Sequence, residues 1–135
     1  MARAFAAAMS LQTKRMQFTF DVLRSDVIGF MALERHSGEP KLHPGAVFCN
    51  IFLADEINRT SSRTQAALLE VMEENRITVD GVTYPAMDPF IVIATQNPAG
   101  SAGTQLLPDS QLERFMIRLH SGYPATESEI RILKS

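Results

Sequence analysis

The sequence predicts an α/β fold built around a mostly parallel sheet. Two continuous apolar runs, Ile51–Ala54 and Phe90–Ala94, have the length and composition of strands buried on both faces. Between them, residues from Ser62 to about Asn75 carry apolar side chains at helical spacing. Because strands that alternate with helices pair in parallel and pack helices on their faces, this order favours an α/β domain.

Composition and charge exclude several classes of protein. The 135 residues are 45% apolar and 21% charged, as in an ordinary globular domain. With 13 basic and 15 acidic side chains the net charge is −2, which argues against a general nucleic-acid or membrane-surface binder. We find neither a transmembrane run nor a signal-peptide pattern, so we expect a cytoplasmic protein. The single cysteine, Cys49, excludes an intrachain disulfide.

A strand and an insert are predicted before the helix that begins near Ser62, and that helix has its own start signal. Lys14–Thr19 alternates in polarity and predicts a short strand. Gly29–Val47 contains too many glycines and prolines for a long element, so we expect an inserted hairpin or extended excursion around Ser37–Pro40. Ser62, with Gln65 three residues later, predicts a capping box at the start of the helix.

A second hairpin is predicted at about residues 76–85. Asp80-Gly81 is a strong signal for a two-residue turn between strands. Counting outward from this turn places Val79 opposite Val82 and Thr78 opposite Thr83, with the two threonines on the other face. The register is therefore predicted residue by residue.

Four further segments complete the alternation after the second apolar run. In chain order they are a glycine-rich loop with Gly100 and Gly103, a short helix near Asp109–Arg114, a third apolar segment at Phe115–Leu119, and a final helix at Glu127–Leu133. They extend the α/β pattern to the end of the chain.

Polar side chains follow both apolar runs at the point where each strand should end. Asp55 and Glu56 follow the first strand, and Asn97 lies shortly after the second. Ligands in open parallel sheets bind beyond the carboxyl ends of the strands, so these residues are candidates for a site. A solvated turn also explains a carboxylate pair after a strand, and the residues alone leave both explanations open.

Five segments, in this order, resemble the AAA+ ATPases and more narrowly their MoxR type. They are Ile51–Arg59, similar to the Walker B segment; Gln65–Glu74; the hairpin turn Thr78–Gly81; Ile93–Pro98, similar to sensor 1; and Gln111–Phe115, similar to the arginine-finger segment. One carboxylate pair would be weak evidence, but five segments in sequence are specific.

The resemblance implies a three-layer αβα, P-loop NTPase-like core that occupies residues 1–135, with an insert at about 29–47 and the hairpin at about 76–85 facing the pore of a hexameric ring. In the complete protein this core would couple ATP hydrolysis to remodelling or maturation of partner proteins. Such partners often carry von Willebrand factor A domains. No direct nucleic-acid partner is implied.

The resemblance also assigns roles at the strand ends, with ATP and Mg²⁺ as cofactors. Asp55 would hold Mg²⁺ directly or through water, because this cation prefers oxygen ligands. Glu56 would orient and polarise the attacking water. Asn97, the sensor 1 residue, would bridge that water and the γ-phosphate through its amide.

Arg114 resembles the arginine finger that reaches the nucleotide of the adjacent subunit, where such a residue contributes about 10³ to 10⁵ in rate. A surface arginine paired with Glu113 or Asp109 is the alternative. Arg59 and Arg63 fit a subunit interface or a solvated helix start, and the sequence does not choose between these.

The phosphate-binding pattern G-x-x-x-x-G-K-S/T does not occur in this sequence. Met1, Phe5 and Met9 recur at helical spacing without an N-cap, so we expect the chain to begin inside the helix that follows this loop in the family. The core would then be truncated at its N-terminus. Phe20 and Arg24 also depart from the family, which commonly has proline at these positions.

Two alternatives to the ATPase remain. A non-catalytic interaction module would keep the fold and the interface without nucleotide binding. A small metal-dependent hydrolase built on Asp55 and Glu56 would need further carboxylates nearby, and Asp26 and Asp109 are the loop candidates.

Overall fold

The computed structural model describes residues 4, 7–97, 106–120, 122 and 128. Ala4, Ala7 and Ala8 are helical, whereas the other residues of the predicted first helix before Ala7 lie outside the described residues. The predicted glycine-rich loop at 100–103 also lies outside them, as does all of the predicted final helix at 127–133 except residue 128.

The described residues between 13 and 112 form seven strands and three helices. The strands are β1 (Thr13–Gln17), β2 (Gly29–Leu33), β3 (Pro40–Pro44), β4 (Ile51–Asp55), β5 (Arg76–Val79), β6 (Val82–Pro85) and β7 (Ile91–Ala94). The helices are α1 (Arg24–Ile28), α2 (Ser62–Glu74) and α3 (Asp109–Leu112), and a 3₁₀ turn covers Ile57–Arg59.

The central sheet is parallel, with strand order β1-β4-β7. The middle strand, β4, is apolar up to its last residue, Asp55, and its Ile51, Phe52 and Ala54 side chains are buried. A strand that is flanked on both sides and covered on its faces needs such a composition. The predicted parallel α/β core and the predicted buried strand at Ile51–Ala54 are both confirmed.

β7 does not share this burial. Ile91 and Ile93 are each 44% exposed, whereas Val92 and Ala94 pack against the core. Because successive side chains point to opposite faces, one face of β7 is open within the described part of the chain. The prediction that this run is buried on both faces is wrong there, since an apolar run alone does not show which layers cover a strand.

The insert between β1 and β4 is an antiparallel hairpin of β2 and β3, the first of the two predicted alternatives. Its base depends on a close backbone approach at Gly45. A β-carbon on this residue would lie 2.4 Å from both the Gly29 nitrogen and the Val27 carbonyl oxygen. The missing side chain therefore lets the hairpin close directly against the end of α1.

The second hairpin, β5 and β6, has the predicted register. Asp80 (φ 47°) and Gly81 (φ 84°) both have positive φ, as a type I′ turn requires. The Thr78 and Thr83 hydroxyls lie 3.1 Å apart on the exposed face. An Asp80 carboxylate oxygen accepts a hydrogen bond from the Met31 amide at 3.0 Å, which links this hairpin to the insert.

The N-cap of α2 is Ser61 rather than the predicted Ser62. The Ser61 hydroxyl accepts a hydrogen bond from the backbone N–H three residues on, at 3.3 Å. Gln65 does not complete a capping box with Ser62. Its amide instead donates to the Ile57 carbonyl at 3.0 Å and is buried beneath the 3₁₀ turn. Tertiary contact with the preceding turn thus shifted the cap by one residue.

The C-terminal elements are shorter than predicted. α3 ends at Leu112 rather than at Arg114, and the segment Phe115–Leu119 has no regular structure. Met116 and Leu119 are 97% and 88% exposed. A strand needs a neighbour to complete its hydrogen bonds, and none lies beside this segment in the described structure.

One cluster of buried side chains joins the sheet, α2 and both hairpins. It includes Phe18, Val27, Val47, Cys49, Phe52, Ile57, Leu68, Val71, Ile77 and Val79. Phe18 and Phe52 meet edge to face, with ring centroids 6.3 Å apart. No helix in the described part of the chain is long and apolar enough to cross a membrane.

Candidate site at the carboxyl ends of the parallel strands

The site lies where β4 and β7 end side by side. Their register places Ala54 opposite Ala94, so the residues that follow leave the sheet together. The Ile57 amide donates to the Thr95 carbonyl at 3.0 Å, and the Glu56 amide donates to the Thr95 hydroxyl at 3.0 Å. These bonds carry the pairing past the last strand residue and hold the two turns together.

Glu56 occupies the turn from β4 into the 3₁₀ segment. Its backbone is left-handed (φ 53°, ψ 47°), which is uncommon for a residue other than glycine. Its Oε2 accepts hydrogen bonds from the Arg59 guanidinium at 2.9 Å and from the Gln17 side-chain amide at 3.0 Å. The carboxylate is thus oriented by donors from β1 and from the turn itself.

These donors also set the charge of Glu56. The Arg59 hydrogen bond holds the pKa of the Glu56 carboxyl below its usual range, and hydrogen bonds with Asn97 and Gln17 lower it further, against a smaller opposing effect of desolvation. Asn97 therefore meets Glu56, as their places after adjacent strands predicted. Glu56 is a carboxylate that stays ionised at neutral pH.

Asp55 is the last residue of β4, and its carboxylate accepts a hydrogen bond from Nε of Arg15 on β1 at 2.5 Å. The Asp55 side chain is 21% exposed and that of Arg15 is 68% exposed, so the pair lies at the protein surface. In such a setting an ion pair contributes about 0–1 kcal/mol. Arg15 neutralises the carboxylate without burying it.

The donor set fits a magnesium ion shared with a substrate. Mg²⁺ is commonly held by one or two carboxylates together with phosphate oxygens and waters, rather than by an all-protein cage. Asp55 supplies one partly exposed carboxylate, directly before Glu56 in the chain. No group of three histidine, cysteine, aspartate or glutamate side chains that could hold a metal occurs among the described residues.

Asn97 is fixed by a partner that the sequence did not indicate. The Asn58 side-chain amide donates to the Asn97 carbonyl at 3.1 Å, and its oxygen accepts from the Asn97 amide at 3.3 Å. Asn58 is 1% exposed. A single buried carboxamide thus pairs with both backbone groups of the residue predicted to sense the substrate.

Arg114 lies apart from this group. It forms an ion pair with Glu73 at 3.1 Å, not with Glu113 or Asp109 as the surface alternative had it. Glu73 is near the carboxyl end of α2, about 16 Å along the helix axis from its start at Ser62. The structure therefore brings Asp55, Glu56 and Asn97 together and leaves Arg114 outside that group.

The sequence missed the residues that orient the carboxylates. A signal for two of them was present, because Arg15 and Gln17 lie two apart on β1 and so share a face. Their register opposite Leu53 and Asp55 brings them to the strand end. Asn58 carried no such signal, since its burial depends on how the turn packs.

A parallel sheet with two carboxylates and an amide at adjoining strand ends fits a P-loop NTPase-like core. The comparisons with known proteins agree. Residues 1–117 match the model of the ATPase family associated with various cellular activities (AAA). The chain belongs to this family of ATPases and, within it, to the MoxR type.

The relatives bear this out at substantial identity. The chain is 50% identical over 133 residues to the uncharacterized protein YeaC of Bacillus subtilis, covering 98% of this chain and 42% of that protein. It is 40% identical over 129 residues to Chaperone MoxR1 of Mycobacterium tuberculosis, covering 96% and 34%.

A crystal structure from Cytophaga hutchinsonii, of a protein assigned as an ATPase, matches with a TM-score of 0.81 and 44% identity over 98% of this chain and 40% of that one. The chain thus spans about two fifths of the length of YeaC and of the Cytophaga hutchinsonii protein.

Proposed function

We propose that this chain forms the hydrolytic part of a MoxR-type AAA+ ATPase, which couples ATP hydrolysis to the remodelling or maturation of partner proteins. One observation carries the proposal. Glu56 and Asn97, which follow neighbouring parallel strands, meet directly beside Asp55. A water-orienting carboxylate, an amide and a metal-binding carboxylate are the groups that phosphoanhydride hydrolysis requires.

Each residue has a role that its geometry supports. Glu56, ionised and held from several sides, orients the attacking water and accepts its hydrogen bond. Asn97 offers an amide donor and acceptor between that water and the γ-phosphate. Asp55 is the ligand for Mg²⁺, which when bound would neutralise charge on the phosphates. Arg59 and Gln17 must move away from Glu56 before a water can bind there, and Arg15 must move away from Asp55 before Mg²⁺ can.

Arg114 is proposed to act on the nucleotide of an adjacent subunit in a ring, which by resemblance is hexameric. Two observations support action between subunits. Its ion pair with Glu73 places it at the far end of α2 from the site of its own chain. The Arg114 side chain is 38% exposed, so it is accessible to a neighbouring copy.

The partners are proposed to be proteins, including some with von Willebrand factor A domains, met in the cytoplasm. The name of one relative, Chaperone MoxR1, supports a protein partner. The net charge of −2 favours no nucleic-acid partner.

Replacement of Glu56 by Gln tests the proposal. In a form of the protein that includes a phosphate-binding loop, Glu56→Gln should leave ATP binding intact and lower steady-state phosphate release by about 10² or more, as loss of a general base does. Glu70→Gln is the matched control, because Glu70 is an exposed residue on α2. A Glu56→Gln variant that keeps more than about a third of the turnover would contradict the assigned role.

One observation favours a second candidate, a non-catalytic interaction module. The sequence holds no G-x-x-x-x-G-K-S/T pattern, so these residues contain no phosphate-binding loop of that kind. The coding sequence upstream of Met1 separates the two. An in-frame Gly-Lys-Thr or Gly-Lys-Ser there favours the ATPase, and a stop codon directly upstream favours the module.

A further inference from the structure

Asn58 makes two hydrogen bonds to the backbone of one residue 39 positions away. Its Nδ2 donates to the Asn97 carbonyl at 3.1 Å and its Oδ1 accepts from the Asn97 amide at 3.3 Å. One carboxamide thus pairs both backbone groups of a residue that lies three positions after β7 ends at Ala94.

The pairing suits an amide side chain. A carboxylate accepts but does not donate and a leucine does neither, whereas an amide carries a donor and an acceptor side by side, as the N–H and C=O of one residue require. Since Asn58 is 1% exposed, its own polar atoms have little access to water, so loss of either partner would leave a buried polar atom without a hydrogen bond. Both partners are therefore held to this one arrangement.

We propose that Asn58 is a positioning residue that fixes the backbone of Asn97 so that the Asn97 side chain faces Glu56. This rests on the role proposed for Asn97. The Ile57 and Glu56 amides already bind Thr95, and Asn58 extends the same connection two residues further. One short segment after β4 thus carries the carboxylate and also sets the amide that works with it.

The chain offers a matched structural control at the amino-terminal end of β4, opposite the end that carries the site. Asn50, 6% exposed, accepts from the Gln12 amide at 3.1 Å and donates to the Pro89 carbonyl at 3.0 Å. It is a buried asparagine with the same two kinds of bond, located before β4 rather than after it. Asn50→Ala should cost similar stability without disturbing Asn97.

Amide hydrogen exchange followed by NMR tests the geometry in this 135-residue chain, without nucleotide. Asn58→Ala should speed exchange of the Asn97 amide by at least about fivefold, as loss of one hydrogen bond does. The Thr95 amide, which donates to Ala54 at 2.9 Å, should change less and serves as the internal reference for folding. Equal Asn97 exchange in Asn58→Ala and the unmodified chain overturns the proposal.

Turnover then separates positioning from a merely structural role. In a form of the protein with a phosphate-binding loop, Asn58→Ala and Asn97→Ala should each lower kcat by about tenfold or more, with KM for ATP within about threefold. Asn50→Ala should not. Because Asn58 acts through Asn97, the double variant should be no slower than Asn97→Ala alone. A further loss in the double variant overturns the proposal.

The outcomes also distinguish this proposal from the function on which it rests. Full turnover by Asn97→Ala overturns the role given to Asn97 in the proposed function, and the positioning role for catalysis with it. Low turnover by Asn97→Ala together with full turnover by Asn58→Ala overturns the positioning role alone.

Discussion

The Arg59 guanidinium lies 2.9 Å from Oε2 of Glu56, three residues before it, and shares that oxygen with the Gln17 amide. The pair spans the 3₁₀ turn that leaves β4. It keeps Glu56 ionised and holds one of its two carboxylate oxygens. Arg59 thus holds the Glu56 carboxylate in place.

Removing Arg59 should raise the pKa of Glu56 toward its ordinary value of 4.5, because the Arg59 hydrogen bond is the main cause of the lowering. Since the pKa of Glu56 is lower in the folded state, its carboxylate stabilises the folded protein above pH 4.5. This contribution is lost as the pH falls through the folded-state pKa. Carbon-13 NMR titration of the Glu56 carboxyl in Arg59→Ala measures the shift. Arg63→Ala removes a nearby exposed arginine and should leave the titration unchanged; an equal shift in both would refute a specific pair.

Arg114 should act across a subunit boundary. Mixing Arg114→Ala subunits with Glu56→Gln subunits creates interfaces that pair an intact carboxylate with an intact arginine, so ATP turnover should partly recover. Arg118→Ala, at another exposed arginine of the same segment, should not lower turnover when tested alone. No recovery in assembled mixed rings would rule out action in trans.

These 135 residues alone should bind ATP weakly and not hydrolyse it. Phosphate affinity in such folds comes mainly from a glycine-rich loop, the helix N-terminus behind it and a lysine, and the sequence lacks the motif that supplies them. Calorimetric titration with ATP and Mg²⁺ should give a dissociation constant above about 10 μM, equivalent to roughly −7 kcal/mol. A tighter constant would reveal a phosphate site elsewhere in the chain.

The helix cap gives a test that needs no nucleotide. Ser61→Ala should lower the free energy of unfolding by about 1 kcal/mol, because the hydroxyl that caps α2 is lost. Ser62→Ala, at the first residue of the helix, should change it by less than about 0.5 kcal/mol. Urea denaturation of both variants measures the difference. A larger loss of stability from Ser62→Ala would show that Ser62, as predicted from the sequence, is the N-cap.

The sequence by itself determined the features that depend on short-range pattern. Alternating apolar runs and helical periodicity established the parallel α/β core, and Asp80-Gly81 set the hairpin register, because a turn that needs positive φ at two residues dictates which neighbours pair. The order of Asp55, Glu56 and Asn97 after their strands placed them at one edge of the sheet.

Only the tertiary structure decided which long-range partner each polar group has. Gln65 left the predicted cap to bind the Ile57 carbonyl, Arg114 paired with Glu73, and Asn58 joined Asn97 across 39 residues. Each choice depends on which backbone groups remain unpaired once the strands lie side by side. Patterns that extend over a few residues do not indicate which partners far apart in the sequence will meet.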